Sequence, residues 1–165
     1  MTGLLVDVDN PFISSSFAAA LASRPNPTGK FQFRKRMEQV GPRVQEHNNK
    51  QFQFVTGLGG TTATGFKWDI SGAYGRTEFK DSTFNDVSRS RLIAATRGTS
   101  AGSSTTSCGA AILAIFPTCK PYNLFGTGSA SQAAIDFVRL NFSDSTLFER
   151  TMLTANIGGD LFTLP

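Results

Sequence analysis

The side chains that could do chemistry in this chain are few and lie far apart. His47 is the single histidine, and it lies within the polar run 46–49. A hydrolytic triad or a zinc site needs partner residues of suitable type, and the sequence places none beside His47. Asp7 and Asp9 form an acidic pair that is too small for a calcium loop. We therefore predict no catalytic residue, no metal site and no cofactor, and we interpret His47 as a solvated or turn histidine.

Two short motifs have a chemical interpretation that their context does not favour. The run Gly57-Leu58-Gly59-Gly60 resembles half of a dinucleotide-binding loop, but the third glycine is missing and a strand pattern follows where a helix is required. We interpret it as a turn. Asn141-Phe142-Ser143 fits the N-glycosylation triplet, which occurs often by chance and matters only in a eukaryotic secretory protein.

The two cysteines, Cys108 and Cys119, are separated by eleven positions in a segment rich in Ser, Thr and Gly. They are either two unrelated buried thiols or a disulfide. The surrounding residues offer no obvious core for thiols, and an even cysteine count within a loop suits an oxidising compartment. We predict a disulfide, although the first residues of the chain do not read as a signal peptide.

The elements that position these residues are strands. From Phe66 to Tyr74 every second residue is large and apolar except Gly72, and the residues between are polar or small. This period of two predicts a strand with one apolar face. The run Gln51 to Phe54 alternates in the same way, so the pair predicts a hairpin around a glycine-rich turn.

The whole chain is read as one domain, 1–165, with antiparallel strands and one very long connection. The predicted strands cover about 30–41, 50–58, 66–79 and 149–163, and the predicted loop covers about 80–148. The pattern does not decide whether 30–58 is one bent strand or a hairpin. Ser129 to Leu140 has helical spacing, with Ser129 and Gln132 placed as a capping box. A connection this long is functional or a folded insertion.

Composition excludes several classes. Charged residues make up 17% of the chain, below the roughly 25% typical of soluble domains. No apolar run approaches the roughly 18 residues of a spanning helix, but a spanning strand needs only about 9–11 residues. The net charge of +4 comes from scattered Lys and Arg, which does not favour nucleic-acid binding.

A series of short sequence segments along the chain resembles the β-barrel region of TonB-dependent receptors of the bacterial outer membrane. The segments occur in a consistent order along nearly all of the sequence. They are Asn10-Pro11-Phe12, Arg34 through Arg43, Val55 to Gly60, Trp68 to Ser71, Tyr74 to Thr77, Cys119 to Gly126 with Gly128-Ser129, and Gly158 to Pro165.

The resemblance implies an all-β fold, namely antiparallel strands of a transmembrane β-barrel with a long extracellular loop that holds a short helix. It implies active uptake of a siderophore, a vitamin or an oligosaccharide by a larger receptor of which this is a fragment. The partners would be outer-membrane lipid, a plug domain, the remaining strands and the TonB energy-coupling complex. Ligand residues cannot be transferred, and the disulfide between Cys108 and Cys119 would pin the loop.

The two strand faces then have different predicted environments. The apolar face is predicted to contact lipid through Phe66, Trp68, Ile70, Tyr74, Leu153, Ile157 and Leu161. The polar face is predicted to line the lumen through Lys67, Asp69, Arg150, Asn156 and Asp160. Lys35 lies between Phe33 and Met37, which places it near an interface or beyond the membrane.

The alternative to a barrel fragment is a small secreted β-sandwich that binds carbohydrate or protein. It explains the alternation and the disulfide, but it does not explain why a few strands carry so long a loop. A cytosolic enzyme has almost no support in the sequence.

Overall fold

The computed structural model describes residues 3–160. The chain is mostly β, with 41% of residues in strands and 22% in helices, and its sheets are antiparallel. The strands are β1 (Leu4–Val6), β2 (Phe31–Phe33), β3 (Val44–Thr61), β4 (Lys67–Val87) and β5 (Arg139–Gly158). β1 pairs with β2, and the three long strands form a second sheet in the order β3-β4-β5.

Four short helices complete the described secondary structure, together with 3-10 turns at Glu38–Val40 and Thr99–Ala101. The helices are α1 (Ser15–Ala22), α2 (Arg89–Ala95), α3 (Ala110–Ile115) and α4 (Gln132–Val138). Each has eight residues or fewer, which is too short for a helix to be stable by itself in water. Their stability therefore comes from packing.

The chain divides into two compact units. Unit 1 comprises the residues up to Val44 together with Thr83–Phe142, and unit 2 comprises Gln45–Ser82 together with the residues from Ser143 onward. All four helices and the β1–β2 pair belong to unit 1, while most of the long three-stranded sheet belongs to unit 2.

Unit 1 contains every buried apolar residue among those described. The largest fully buried side chains are Tyr122, Val6, Val40 and Val138. A group of phenylalanines with edge-to-face contacts borders this core: Phe17 and Phe33 each lie against Phe31 and Phe125. Unit 1 is thus a folded α+β body that joins the first 44 residues to the connection between β4 and β5.

Unit 2 is a single sheet with no buried side chain among its described residues. β3 and β4 are joined by a tight turn in which the Gly65 N–H donates to the Thr62 carbonyl at 3.0 Å, and Gly65 adopts a positive φ of 89°. The turn is therefore Thr62–Gly65, and the interpretation of Gly57–Gly60 as a turn is wrong.

Those glycines lie in β3, where they permit close strand packing. A Cβ on Gly57 would lie 3.0 Å from the Ile70 carbonyl oxygen, and a Cβ on Gly60 would lie 3.2 Å from the Trp68 ring. Glycine at these positions leaves room for the β4 backbone at Ile70 and for the Trp68 ring, and the chain does not reverse there.

The predicted strands are present, but their extents differ. β3 and β4 are longer than the predicted 50–58 and 66–79, and β5 begins ten residues before the predicted start at 149. Only Phe31–Phe33 of the predicted strand 30–41 is a strand, and it lies in a different sheet from β3. The segment 30–58 is thus neither one bent strand nor a hairpin.

The predicted helix within 129–140 is present as α4, but its N-cap lies two residues after the predicted Ser129. Ser131 is the N-cap, and its hydroxyl accepts a hydrogen bond from the Ala134 N–H. Ser129 instead donates to the carbonyls of Asn123 and Gly126. The capping box of Ser129 with Gln132 is therefore wrong.

A candidate membrane-facing surface on the three-stranded sheet

The register of the long sheet decides which side chains share a face. Between β3 and β4, His47 Nδ1 lies 2.7 Å from Asp81 Oδ1, and the missing Cβ of Gly59 would lie 3.6 Å from that of Asp69. The same number of residues separates the two pairs along each strand, so the register is continuous.

β4 and β5 keep their register in the same way. Asn156 Nδ2 donates to Asp69 Oδ2 at 2.9 Å, and the hydroxyls of Ser82 and Ser143 lie 2.9 Å apart. The spacing between these pairs is again equal on both strands. Because side chains alternate between faces, even-numbered residues of β3 and β4 share a face with odd-numbered residues of β5.

That shared face carries an uncharged apolar band that is level across all three strands. Its members are Phe52, Phe54, Thr56, Leu58 and Gly60 on β3; Phe66, Trp68, Ile70, Gly72 and Tyr74 on or just before β4; and Thr151, Leu153, Ala155, Ile157 and Gly159 on or just after β5. Leu58, Leu153 and Ile157 are 77%, 80% and 73% exposed. We call this surface the apolar band.

Charged residues begin on all three strands at nearly the same level. Arg76 NH1 lies 3.9 Å from Glu149 Oε1, and the Tyr74 hydroxyl donates to the same oxygen at 2.9 Å. On β3 the first charge on this face is Lys50, which comes directly after Phe52. Beyond this level Glu78 and Lys80 continue the charged surface. The apolar band therefore ends in an aromatic hydroxyl and a row of charges.

The opposite face of the sheet carries polar and small residues together with exposed large apolar side chains, among them Val55, Phe79, Phe148 and Met152. Asp69 is bonded to Asn156 at one end of it, and His47 is bonded to Asp81 at the other. Between them the strands present small residues, among them Gly57, Ser71 and Ala73. His47 is exposed on a strand, so of the two interpretations the solvated histidine agrees with the structure and the turn histidine does not.

The structure brings the predicted face residues together on the two expected sides. Phe66, Trp68, Ile70, Tyr74, Leu153 and Ile157 share the apolar band. Lys67, Asp69, Arg150 and Asn156 share the opposite face, and Asp160 follows the end of β5. Leu161 lies outside the described residues. Which environment each face meets stays a prediction.

Comparison with protein-family models, with curated proteins and with solved structures finds no match. A function is therefore inferred from the geometry of the chain itself. None of the helices in residues 3–160 has the length and apolar character needed to cross a membrane. Within the same residues, no group of three or more His, Cys, Asp or Glu side chains is placed to hold a metal ion.

Unit 1 places the remaining candidate residues. The predicted disulfide between Cys108 and Cys119 is present, and both cysteines are buried. Its surroundings are a core after all, since both cysteines belong to the buried apolar cluster of unit 1. Lys35 is not on a strand. Its ammonium donates to the carbonyls of Leu124 and Gly126 at 2.8 and 2.6 Å, and burial lowers its pKa despite the opposing effect of Glu38.

Asp7 and Asp9, just after the end of β1, bind the segment that connects β4 and β5. Asp9 Oδ2 accepts hydrogen bonds from the Ser100 N–H at 2.6 Å and the Thr99 hydroxyl at 3.0 Å. Partial burial acts to raise the pKa of Asp9, but these hydrogen bonds together outweigh it, so that its pKa lies below the ordinary value. Asp7 accepts from the Gly98 N–H and pairs with Lys30.

Sequence reasoning missed the contacts of Lys35 with Leu124 and Gly126, and those of Asp9 with Thr99 and Ser100. Each of them joins positions about ninety residues apart. One local signal was available for α2: Leu92, Ala95 and Thr96 recur at helical spacing after Ser88, and Ala95 and Thr96 are buried. No local pattern indicates that Lys35 or Asp9 would find its partners in the connection.

Proposed function

We propose that the three long strands belong to an outer-membrane β-barrel of the TonB-dependent receptor type, which takes up a siderophore, a vitamin or an oligosaccharide. The observation that carries the proposal is the apolar band, since it is uncharged, largely exposed and level across three neighbouring strands. Such an area of apolar surface is larger than a soluble monomer normally leaves in contact with water.

The dimensions of the apolar band favour a bilayer. Nine residues at about 3.3 Å each extend roughly 25–30 Å along a strand, and a tilt of about 40° reduces this to roughly 20–25 Å across the membrane. Transmembrane barrels carry an apolar belt about 25 Å tall between girdles of aromatic residues. Trp68 near the turn and Tyr74 beside the charges occupy the two girdle positions.

The connections also fit this proposal. β3 and β4 are joined by the tight turn Thr62–Gly65, whereas β4 and β5 are joined by the whole segment 88–138. Barrels of this class have short periplasmic turns and long extracellular loops. A disulfide in that segment suits an extracellular position.

The proposal requires further strands as partners. β3 and β5 are the two edges of the described sheet, and unpaired backbone groups are costly in hydrocarbon. A plug domain, the remaining barrel strands and the energy-coupling complex would complete the receptor. These three strands are not expected to transport a ligand by themselves.

The fluorescence of Trp68 tests the proposal, because the chain contains a single tryptophan. In micelles of brominated dodecyl maltoside, bromine atoms should quench Trp68 because its ring lies on the apolar band. Leu153→Arg places a charge within the band and should reduce the quenching, at a cost of roughly 2–4 kcal/mol if the position is near the membrane midplane. Thr154→Arg is the matched control, since the next residue of β5 faces the other way.

Two results would contradict the proposal. One is equal quenching in both variants, which would mean that the two faces meet the same environment. The other is a chain that is monodisperse and melts cooperatively in plain buffer without quenching in detergent. The second result would favour the secreted sandwich, in which the apolar band is covered by protein.

A further inference from the structure

A surface groove in unit 1 has the properties of a binding site. Its volume is about 400 Å³, which falls within the range of roughly 300–1,000 Å³ for small-molecule sites. It lies between the β1–β2 pair and helix α2. Its walls include Leu4, Leu5 and Lys30 from the first side and Arg89, Ile93 and Arg97 from the second.

The charge of the groove is strongly positive. Lys30, Arg89 and Arg97 line it against a single carboxylate, Asp7. That carboxylate is already engaged, because its Oδ1 lies 2.9 Å from Lys30 Nζ and its Oδ2 accepts the Gly98 N–H at 3.2 Å.

The two arginines have no such partner. Both are exposed, and neither makes an ion pair or a side-chain hydrogen bond to any residue between 3 and 160. Three other arginines of unit 1 donate to backbone carbonyls, namely Arg24 to Leu21, Arg91 to Phe137 and Arg139 to Val40. Arg34 and Arg36 make no such bond, but they do not line the groove. The guanidinium groups in the groove are therefore free to receive an anion.

The groove also exposes apolar surface beside these charges. Leu5 is 64% exposed and Ile93 is 36% exposed, in a unit whose other large aliphatic residues are mostly buried or half-buried, with Val44 and Ile115 as exceptions. Leu5 lies opposite Gln32 in the β1–β2 pair, so its position is fixed by the strand register. A ligand that matches the groove needs an apolar part as well as a negative charge.

We propose that this groove binds a small amphipathic anion, in which a phosphate or carboxylate adjoins an apolar group. Arg89 and Arg97 bind the charged group, since a guanidinium presents paired donors that match the oxygens of a phosphate or carboxylate. Leu5 and Ile93 contact the apolar group. The groove lies wholly in unit 1, so this proposal does not depend on the membrane assignment of unit 2.

Calorimetric titration of the whole chain in an uncharged detergent tests the proposal with three probes. Phenyl phosphate carries both features, inorganic phosphate carries only the charge, and benzyl alcohol carries only the apolar group. We expect phenyl phosphate to bind more tightly than inorganic phosphate, benzyl alcohol not to bind measurably, and added salt to weaken the binding of both anions.

Variants separate the two parts of the site. Arg89→Gln with Arg97→Gln should weaken phenyl phosphate binding by about tenfold or more, because charged hydrogen bonds are lost. Leu5→Ser should remove the preference for phenyl phosphate while leaving inorganic phosphate binding unchanged. Arg34→Gln with Arg36→Gln is the control of equal charge, since both arginines are exposed in unit 1 and neither lines the groove.

Helical circular dichroism checks that each variant keeps its fold, because all the described helices lie in unit 1. Equal phenyl phosphate binding by the wild type and the Arg89→Gln, Arg97→Gln variant would overturn the proposal. So would an Arg34→Gln, Arg36→Gln variant that loses as much affinity as the Arg89→Gln, Arg97→Gln variant, because binding would then reflect net charge alone.

Discussion

At the scale of single residues, polar side chains hold unit 1 together by bonding to backbone groups far away in the sequence. Asp9 joins the start of the chain to Ser100, Asn10 donates to the Thr96 carbonyl at 2.9 Å, and Lys35 binds the turn near Gly126. Each contact satisfies a main-chain group that would otherwise need water. These contacts give Asp9, Asn10 and Lys35 a structural role in unit 1.

Tyr122 is the exception, because its hydroxyl is buried and has no hydrogen-bond partner among the described residues. Burial raises its pKa, so the hydroxyl stays protonated to a higher pH than that of an exposed tyrosine. Removing an unsatisfied buried hydroxyl is expected to stabilise a fold by roughly 1–2 kcal/mol. Tyr122→Phe should therefore raise the urea midpoint of unit 1, measured by helical circular dichroism. A loss of stability would show that the hydroxyl has a partner, such as a buried water.

Asp9 predicts how unit 1 responds to acid. Its pKa is lower in the folded chain than the ordinary value of 3.8 that it regains on unfolding. The ionised carboxylate therefore stabilises unit 1 fully above that value, and this contribution is lost as the pH falls through the folded-state pKa. Urea unfolding at a series of pH values should show Asp9→Asn to be less stable than wild type near neutrality, with the gap closing below about pH 4. A gap that is independent of pH would contradict the prediction.

At the scale of elements, the short helices depend on their caps as well as on packing. The Ser131 hydroxyl accepts the Ala134 N–H at 3.2 Å and begins α4, whose buried residues include Ile135 and Phe137. Side-chain caps of this kind contribute about 1 kcal/mol. The cap therefore supports the helix that leads directly into β5.

Two serine variants test which residue caps α4. Ser131→Ala should lower the stability of unit 1 by about 1 kcal/mol, because an orphan N–H at the helix start loses its acceptor. Ser129→Ala removes only two long hydrogen bonds, of 3.3 and 3.4 Å, and should have a smaller effect. Urea unfolding followed by helical circular dichroism measures both. A larger loss of stability in Ser129→Ala than in Ser131→Ala would contradict this prediction and would favour Ser129 as the cap, as the sequence pattern predicted.

The elements that could be predicted are those whose burial pattern is local. Alternation marked the part of β4 from Trp68 to Tyr74, because one face there is apolar. It did not mark the part of β4 beyond Phe79 or the start of β3, because both faces of those segments carry polar residues and the period vanishes. Helices α2 and α3 were missed because they are short and are stabilised by contacts outside their own sequence. The residues of the apolar band were found because they needed only the period of two, whereas the level alignment of the band needed the register.

At the scale of the whole molecule, the two units have different sources of stability. Unit 1 has a buried core and a disulfide, whereas no described side chain of unit 2 is buried. Burial of apolar surface is the main favourable contribution to folding, at about 25 cal/mol per Å². Unit 1 can gain that contribution within the chain. Unit 2 gains the free energy of burying its apolar band when lipid, detergent or another protein covers the band.

Hydrogen exchange followed by mass spectrometry should therefore distinguish the units. In buffer, peptides from the core of unit 1, around Tyr122 and α4, should exchange slowly, while peptides from 45–82 and 143–158 should exchange fast. Adding an uncharged detergent should slow exchange in the second group only, because the micelle covers the apolar band and stabilises the pairing of β3, β4 and β5. Equal protection of both units in buffer would mean that the band is already covered by protein, for example by a second copy, and that the sheet does not need a bilayer. The selectivity of the detergent effect is decisive, since a general stabilising effect would slow exchange in unit 1 as well.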